Sequence, residues 1–231
     1  MRYELKDLLT PVQYALLQTR IKWVMQPDAH AVDGKYLIRS LYFDTPTNKA
    51  LNEKQDGLSR RHKFRIRYYN GNKDIIHLEK KCKVGGVGLK VSANLTEAQA
   101  QSIVDGDIAW MEKSDNELIK ELYYRMTSER LEPKVIVDYT REPFIYGPGN
   151  VRVTLDYDVR TGLRNTDFLD TECLTVPAAP GRCIMEVKWD EFLPDIIQDA
   201  VQLPHASLGS FSKFENCRIP FMDSFNFNDH I

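Results

Sequence analysis

The chain has 231 residues, 42% of them hydrophobic and 28% charged, enough to bury a sizeable core, and no linker divides it, so one domain over residues 1–231 is expected. A formal net charge of -2 argues against a general nucleic-acid or membrane binder, since such proteins carry a basic excess over the whole domain. The four cysteines, Cys82, Cys173, Cys183 and Cys217, lack metal-ligand spacing and read as reduced thiols of a cytoplasmic protein.

The chain is charged from Arg2 onward, unlike a signal peptide, and its longest run without Asp, Glu, Lys or Arg, Ala200 to Ser212, is too short to span a bilayer. No transmembrane segment is expected. Arg2-Tyr3-Glu4-Leu5-Lys6 alternates, with Arg2, Glu4 and Lys6 on one face, and predicts a first strand. Thr10-Pro11-Val12-Gln13 supplies an N-cap, a proline at N1 and a capping-box glutamine. Tyr14, Leu17, Ile21 and Val24 follow at helical spacing, giving an amphipathic helix that ends near Pro27. Lys35 to Phe43 is rich in β-formers and closes at the turn signal Asp44-Thr45-Pro46, and Asn48 to Gly57 predicts a short helix.

Lys63 to Lys90 is where charge concentrates. From Arg60 to Lys83 there are nine Lys or Arg against two acids, Asp74 and Glu79. Alternation puts Phe64, Ile66 and Tyr68 on one strand face and Lys63, Arg65 and Arg67 on the other. In the next strand Ile76 and Leu78 oppose His77, Glu79 and Lys81. A local basic face in a slightly acidic chain suggests an anion site. Gly85-Gly86 reads as hairpin chemistry and not as a phosphate loop, because no Gly-Lys-Ser/Thr follows. A turn centred there sets Lys81 opposite Lys90, a like-charge pair that costs stability unless an anion lies between them. His77 reads as a polar neighbour, not a ligand or base.

Thr96 with Gln99, and Ser114 with Glu117, predict capping boxes for two scaffold helices. Lys134 to Tyr139 and Val151 to Asp156 resume the strands, with Arg141 just past the first. Thr161 to Gly181 is expected to be an irregular loop with a weak hairpin. Cys183 to Trp189 is a strand with Ile184, Glu186 and Lys188 on one side, and Leu193, Ile196, Ile197, Ala200 and Val201 form the apolar face of a following helix. Ser210 to Phe214 and an aromatic tail close the chain.

Strands that are charged on one face and apolar on the other fit either a solvated sheet face or a sheet curled around a polar lumen. Arg and Lys with isolated glutamates are what a lumen holding a polyanion and a metal needs: guanidinium forks and ammonium charges for phosphate oxygens, and carboxylates for a hard cation.

Arg2-Tyr3-Glu4-Leu5-Lys6, Leu41-Tyr42-Phe43-Asp44, Phe64-Arg65-Ile66-Arg67-Tyr68, Leu78-Glu79-Lys80-Lys81, Val151-Arg152-Val153-Thr154-Leu155-Asp156, Met185-Glu186-Val187-Lys188 and Ser212-Lys213-Phe214 occur in this order. In that order the chain resembles the VTC-type polyphosphate polymerase domain, a branch of the triphosphate tunnel metalloenzymes (CYTH-like superfamily), over nearly its whole length. The resemblance implies an α+β fold, an antiparallel β-barrel-like tunnel with a charged lumen surrounded by helices. It implies that Lys6, Arg65, Arg67, Lys81, Arg152 and Lys213, with Ser212 beside them, hold phosphates, and that Glu186 holds Mn2+ or Mg2+. Lys90 and Arg141 match in looser surroundings, and Glu4 and Glu79 are candidate secondary metal or water contacts. Asp156 stands open between a metal contact and an arginine partner. The superfamily's Glu-x-Glu-x-Lys opening lacks its first carboxylate here, and the SPX-like region and membrane segments of some family members are not present in the sequence.

The function implied is a metal-dependent polyphosphate polymerase that transfers the γ-phosphate of ATP to a growing polyphosphate chain. The alternatives are a triphosphatase in the same tunnel, with water replacing the chain's terminal phosphate, and a non-catalytic polyphosphate-binding module. The expected partners are ATP and inorganic polyphosphate, and not nucleic acid.

Overall fold

The computed structural model describes residues 2–85, 87–203, 207–208 and 211–218. Gly86 of the expected turn and the aromatic tail after Arg218 lie outside the described residues. In chain order the elements are β1 (Arg2–Leu9), α1 (Pro11–Val24), β2 (Gln26–Pro27), β3 (Tyr36–Asp44), α2 (Lys49–Gln55), β4 (Arg60–Tyr69), β5 (Asn72–Val84) and β6 (Val87–Leu95). They continue with α3 (Glu97–Asp105), α4 (Glu117–Ser128), β7 (Glu132–Tyr146), β8 (Val151–Thr161), β9 (Val176–Pro177), β10 (Cys183–Asp190), α5 (Asp195–Val201), β11 (Ser207–Leu208) and α6 (Lys213–Asn216). The class is α+β with antiparallel strand pairing, as expected.

Local signals fixed most of these boundaries. Thr10 caps α1, its hydroxyl accepting from Gln13 N at 3.3 Å while Gln13 Oε1 accepts from Thr10 N at 2.9 Å. Thr96 and Gln99 repeat the box on α3, which stops at Gly106 with φ of 82°, where a side chain would be strained. The expected Ser114 box is replaced: Asn116 caps α4, its Oδ1 accepting from Leu118 N and Ile119 N, while Ser114 Oγ accepts from Asn116 N. An asparagine directly before the first turn reaches those amides without a partner side chain, so it outcompetes the serine two residues earlier. Arg141 lies inside a strand, not past one, because β7 continues to Tyr146. Thr161 to Gly181, expected to be an irregular loop with a weak hairpin, contains only the two-residue strand β9 among its described strands, and this pairs back on β8.

The chain forms two compact units that interleave in sequence, and the buried apolar residues form two clusters. Unit 1 takes residues 1–37, 139–160 and 177–213; its strands run in the order β11-β1-β10-β8-β7. Its core joins Leu9, Leu17, Ile21, Val153, Leu155, Met185, Val187 and Ile197. Unit 2 takes residues 38–138 and 161–176 and those from Phe214 on; its order is β3-β4-β5-β6, over a core of Leu41, Phe43, Phe64, Ile66, Leu78, Ile103, Leu122 and Ile136. In both, one sheet face packs on this core and the other carries the charges.

Candidate functional site

Part of each polar face is withdrawn from solvent, although Glu4, Lys81, Lys83 and Lys90 are exposed. In unit 2, Arg67 and Glu79 are each only 3% exposed, and in unit 1 Asp156 is 0% and Glu186 8% exposed. Ordinary surface charges on an open sheet would stay wet, so these side chains sit in built, polar-lined surroundings.

Antiparallel register arranges the unit 2 face as four rows across the strands. The first is Ser40, Arg67, His77 and Asn94; the second is Tyr42, Arg65, Glu79 and Ser92. The third is Lys63, Lys81 and Lys90, and the fourth Arg61, Lys83 and Gly88. Lys81 thus lies opposite Lys90, as the turn predicted. Arg67 Nε donates to Ser40 Oγ at 2.8 Å, and Arg65 donates to Tyr42 Oη at 2.7 Å and to Glu79 at 2.6 Å. Lys90 escapes its like-charged neighbour by reaching Glu79 Oε1 at 2.9 Å. Both Glu79 oxygens are therefore engaged by cations. Burial alone would raise its carboxyl, but Arg65, then Arg67 and Lys90, hold it down at about 2. His77 is a polar neighbour, 2.9 Å from Asn94 Oδ1.

The unit 1 face mixes signs. Its rows are Glu4, Lys188 and Arg152; Lys6, Glu186 and Thr154; and Leu8, Ile184 and Asp156. Asp156 takes Arg141 in a two-pronged pair, 2.7 Å at each oxygen, and Lys213 Nζ at 2.6 Å. Asp156 is thus a partner of both Arg141 and Lys213. Burial works against its charge, but these two cations hold it well below the usual carboxylate range. Lys188 Nζ stands 3.1 Å from Glu186 and 3.8 Å from Glu4. Glu186 is likewise held low: burial is outweighed by Lys188, contact with the Glu4 carboxyl within hydrogen-bond reach, Lys6 and Arg141. Arg152 reaches Asp28 at 3.4 Å, and Ser212, half-buried, directly precedes α6.

Lys6, Arg141, Arg152, Ser212, Lys213, Glu4 and Glu186 thus belong to unit 1, and Arg65, Arg67, Lys81, Lys90 and Glu79 to unit 2. Among the described residues no group of three His, Cys, Asp or Glu gathers as a metal cage. The Glu4–Glu186 pair, with the Thr154 hydroxyl buried and without a protein partner in the row of Glu186, fits a divalent ion that takes its remaining oxygens from a phosphate substrate. Glu79, already engaged by Arg65 and Lys90, fits that role less well. Sequence reading passed over Lys188, Lys63, Ser40 and Tyr42 as site residues, although the alternation that exposed Glu186 and Arg65 also set these four on the same faces.

Among the described residues no helix is long and apolar enough to cross a membrane. No curated protein matches the sequence. A Bacillus halodurans protein provisionally described as an adenylate cyclase superposes with a TM-score of 0.52 at 13% identity, over 98% of this chain and 88% of that one, which shows a shared fold. Two Pyrococcus horikoshii proteins, PH1819 and PH1012, give TM-scores of 0.43 and 0.45 at 16% and 12% identity, covering 87% and 90% of this chain and 84% and 96% of theirs. The VTC domain family model matches residues 1–219, so the chain belongs to the VTC domain family, the polyphosphate-related tunnel enzymes that its seven motifs resemble.

Proposed function

We propose that the protein is a metal-dependent polyphosphate polymerase that transfers the γ-phosphate of ATP to the end of a polyphosphate chain. The observation that carries this reading is the cation excess on the unit 2 face, where Arg61, Lys63, Arg65, Arg67, Lys81, Lys83 and Lys90 face a single carboxylate, Glu79. A single triphosphate does not need so many cations; a long polyanion does. The free cysteines, three of them buried, fit a reducing compartment such as the cytoplasm.

Phosphoryl transfer rests on positioning and charge neutralisation, so it can proceed without a nucleophilic side chain. In this reading Lys6 and Arg152 of unit 1, with Ser212, bind phosphate oxygens, Asp156 fixes the Arg141 guanidinium and the Lys213 ammonium in place, and Arg65, Arg67, Lys81 and Lys90 of unit 2 bind phosphate oxygens likewise. Glu79, Tyr42 and Ser40 lock the two arginine forks, so little order is lost on binding. Mn2+ or Mg2+, held by Glu186 and Glu4, supplies further neutralisation of the phosphate oxygens when bound. An oxygen of the chain's terminal phosphate bonds to the γ-phosphorus, the bond to the β,γ-bridging oxygen breaks, and ADP leaves with the electron pair.

ATP incubated with Mn2+ or Mg2+ is expected to yield ADP and acid-stable chains far longer than triphosphate, and added short polyphosphate should shorten any lag. ADP and orthophosphate as the only products, or tripolyphosphate cleaved faster than ATP is consumed, would establish a triphosphatase instead. Polyanion binding with no turnover would leave a binding module.

A further inference from the structure

Unit 2 ends in an apolar sheet edge. Strand β6 closes the order β3-β4-β5-β6, so among the described residues no strand pairs with its outer edge, and Val87 to Ser92 are all exposed. Alternation puts Val87, Leu89 and Val91 on the face that carries Ala93 and Leu95 into the core, opposite to Lys90. Val84, Val87 and Val91 are each 51% exposed and Leu89 is 61% exposed, and register sets Val84 beside Val87 and Cys82 beside Leu89. We infer that this apolar strip is the contact with a second copy of the chain. Strand β6 pairs antiparallel with β6 of that copy about a two-fold axis at Leu89, which joins the two unit 2 sheets edge to edge.

Three observations carry this. First, β6 lacks the devices that keep an edge strand from pairing. It is nine residues long, has no proline, and runs without a bulge along β5. Its one charge, Lys90, is turned to the other face, where Glu79 accepts from its ammonium at 2.9 Å. Second, the segment is self-complementary in one register. An axis at Leu89 sets Leu89 against its own copy, Val87 against Val91, and Lys90 against Gly88, above which there is open space for a lysine stem. Moving the axis to Lys90 would place two lysines face to face, a like-charge pair that costs stability. Moving it to Val91 would set Val87 and Leu89 against Leu95 and Ala93, whose side chains are already buried in their own core, and moving it to Gly88 would keep only residues 87–89 paired. Third, the chosen register makes one continuous apolar ribbon, because Val84 and Cys82 lie directly behind Val87 and Leu89 in each copy. The ribbon loses water that an isolated chain leaves on it. A two-fold contact uses the same edge on both copies, so the assembly closes at two chains. With residues 87–91 paired it is smaller than the standard interface of about 1,600 Å², and such a dimer is reversible at micromolar concentration.

The test is sedimentation of the full chain over a concentration series, without ATP, metal or polyphosphate, at moderate and high salt. The wild type is expected to show a reversible monomer–dimer equilibrium with little dependence on salt. Leu89→Lys, which sets two ammoniums together on the axis, should weaken dimerisation about 100-fold and keep the melting temperature of dilute protein, because Leu89 lies outside the core. Register is read by cross-linking. Leu89→Cys in a Cys82→Ser background, which removes the neighbouring thiol, should join to its own copy under mild oxidation, whereas Val91→Cys in the same background, with Val87 as its neighbour, should not. The other three cysteines are buried and do not compete. Wild-type protein that stays monomeric across the series, as it would if the edge served a peptide of another protein, overturns the inference. So does a dimer that Leu89→Lys leaves intact, or cross-linking that is equal at positions 89 and 91. If Leu89→Lys lowers the melting temperature, the two cysteine variants decide the contact and its register by themselves.

Discussion

The two polar faces use similar residues to opposite ends. In unit 1 the cations are matched by carboxylates: Arg141 and Lys213 by Asp156, Lys188 by Glu186 and Glu4, and Arg152 by Asp28. In unit 2 one carboxylate serves Arg65 and Lys90, and rows of cations continue past it. A neutralised network holds geometry, because each charge is pinned by its partner. An unneutralised one stores repulsion that a polyanion relieves. Burial does not separate the two, since Arg67 and Asp156 are both nearly inaccessible; charge balance does.

The largest expected effect breaks the pattern on the unit 1 side. Glu186→Gln should lower metal-dependent kcat by about 100- to 1,000-fold and leave long-chain polyphosphate binding nearly unchanged. Normal turnover with Mn2+ or Mg2+ would show that this carboxylate holds no ion. Next comes stability. Asp156→Asn leaves Arg141 and Lys213 without their buried counter-charge and should cost about 3–5 kcal/mol in urea unfolding, whereas Lys81→Gln should cost almost nothing because no ion pair is lost. Equal costs at the two positions would erase the distinction between the faces.

Two smaller effects concern pH. Lys63 has a folded value of about 8 against 10.5 for an ordinary lysine, so between those limits the unfolded chain holds the proton that the folded chain has lost. Stability should therefore rise from about pH 8 to 10.5, and Lys63→Met should abolish that rise and stabilise the protein at pH 7. A rise of the same size in the variant would assign it to another group. Glu79 has the same sign in a lower window: its contribution is complete above the ordinary carboxylate value of 4.5 and fades as pH falls toward about 2. Glu79→Gln should flatten the acid limb of the unfolding curve between those values; an unchanged limb would mean that Arg65 and Lys90 do not stabilise its charge.

Sequence patterns exposed what is local. Thr10 and Gln13, Thr96 and Gln99, and the strand alternation around Arg65 and Glu186 carry their own hydrogen bonds or periodicity, and the Gly85-Gly86 pair in the sequence set Lys81 opposite Lys90. Asn116 was missed because Ser114 and Glu117 imitate the spacing of a capping box. The length of β7 was missed because Pro143 and Glu142 interrupt its apolar pattern, while its pairing partners lie far away in sequence. Two cores were not legible for a similar reason: the chain passes between units without a linker, so composition never changes at a boundary. The partner of Asp156 required register and a side chain from α6, neither of which spacing can supply.

The interleaving has a consequence during synthesis. Strands β4, β5 and β6 are joined by short turns and can pair soon after they emerge, but β1 pairs with β10 and β11, which are made much later. At about 5–20 residues per second, β1 waits on the order of ten seconds or more for β10, with its hydrogen-bonding edges unsatisfied. Arg2, Glu4 and Lys6, spaced along that waiting strand, are charges of the kind that keep an open edge from joining a stranger. The residues proposed to hold phosphate and metal on β1 would then also guard that strand on the ribosome.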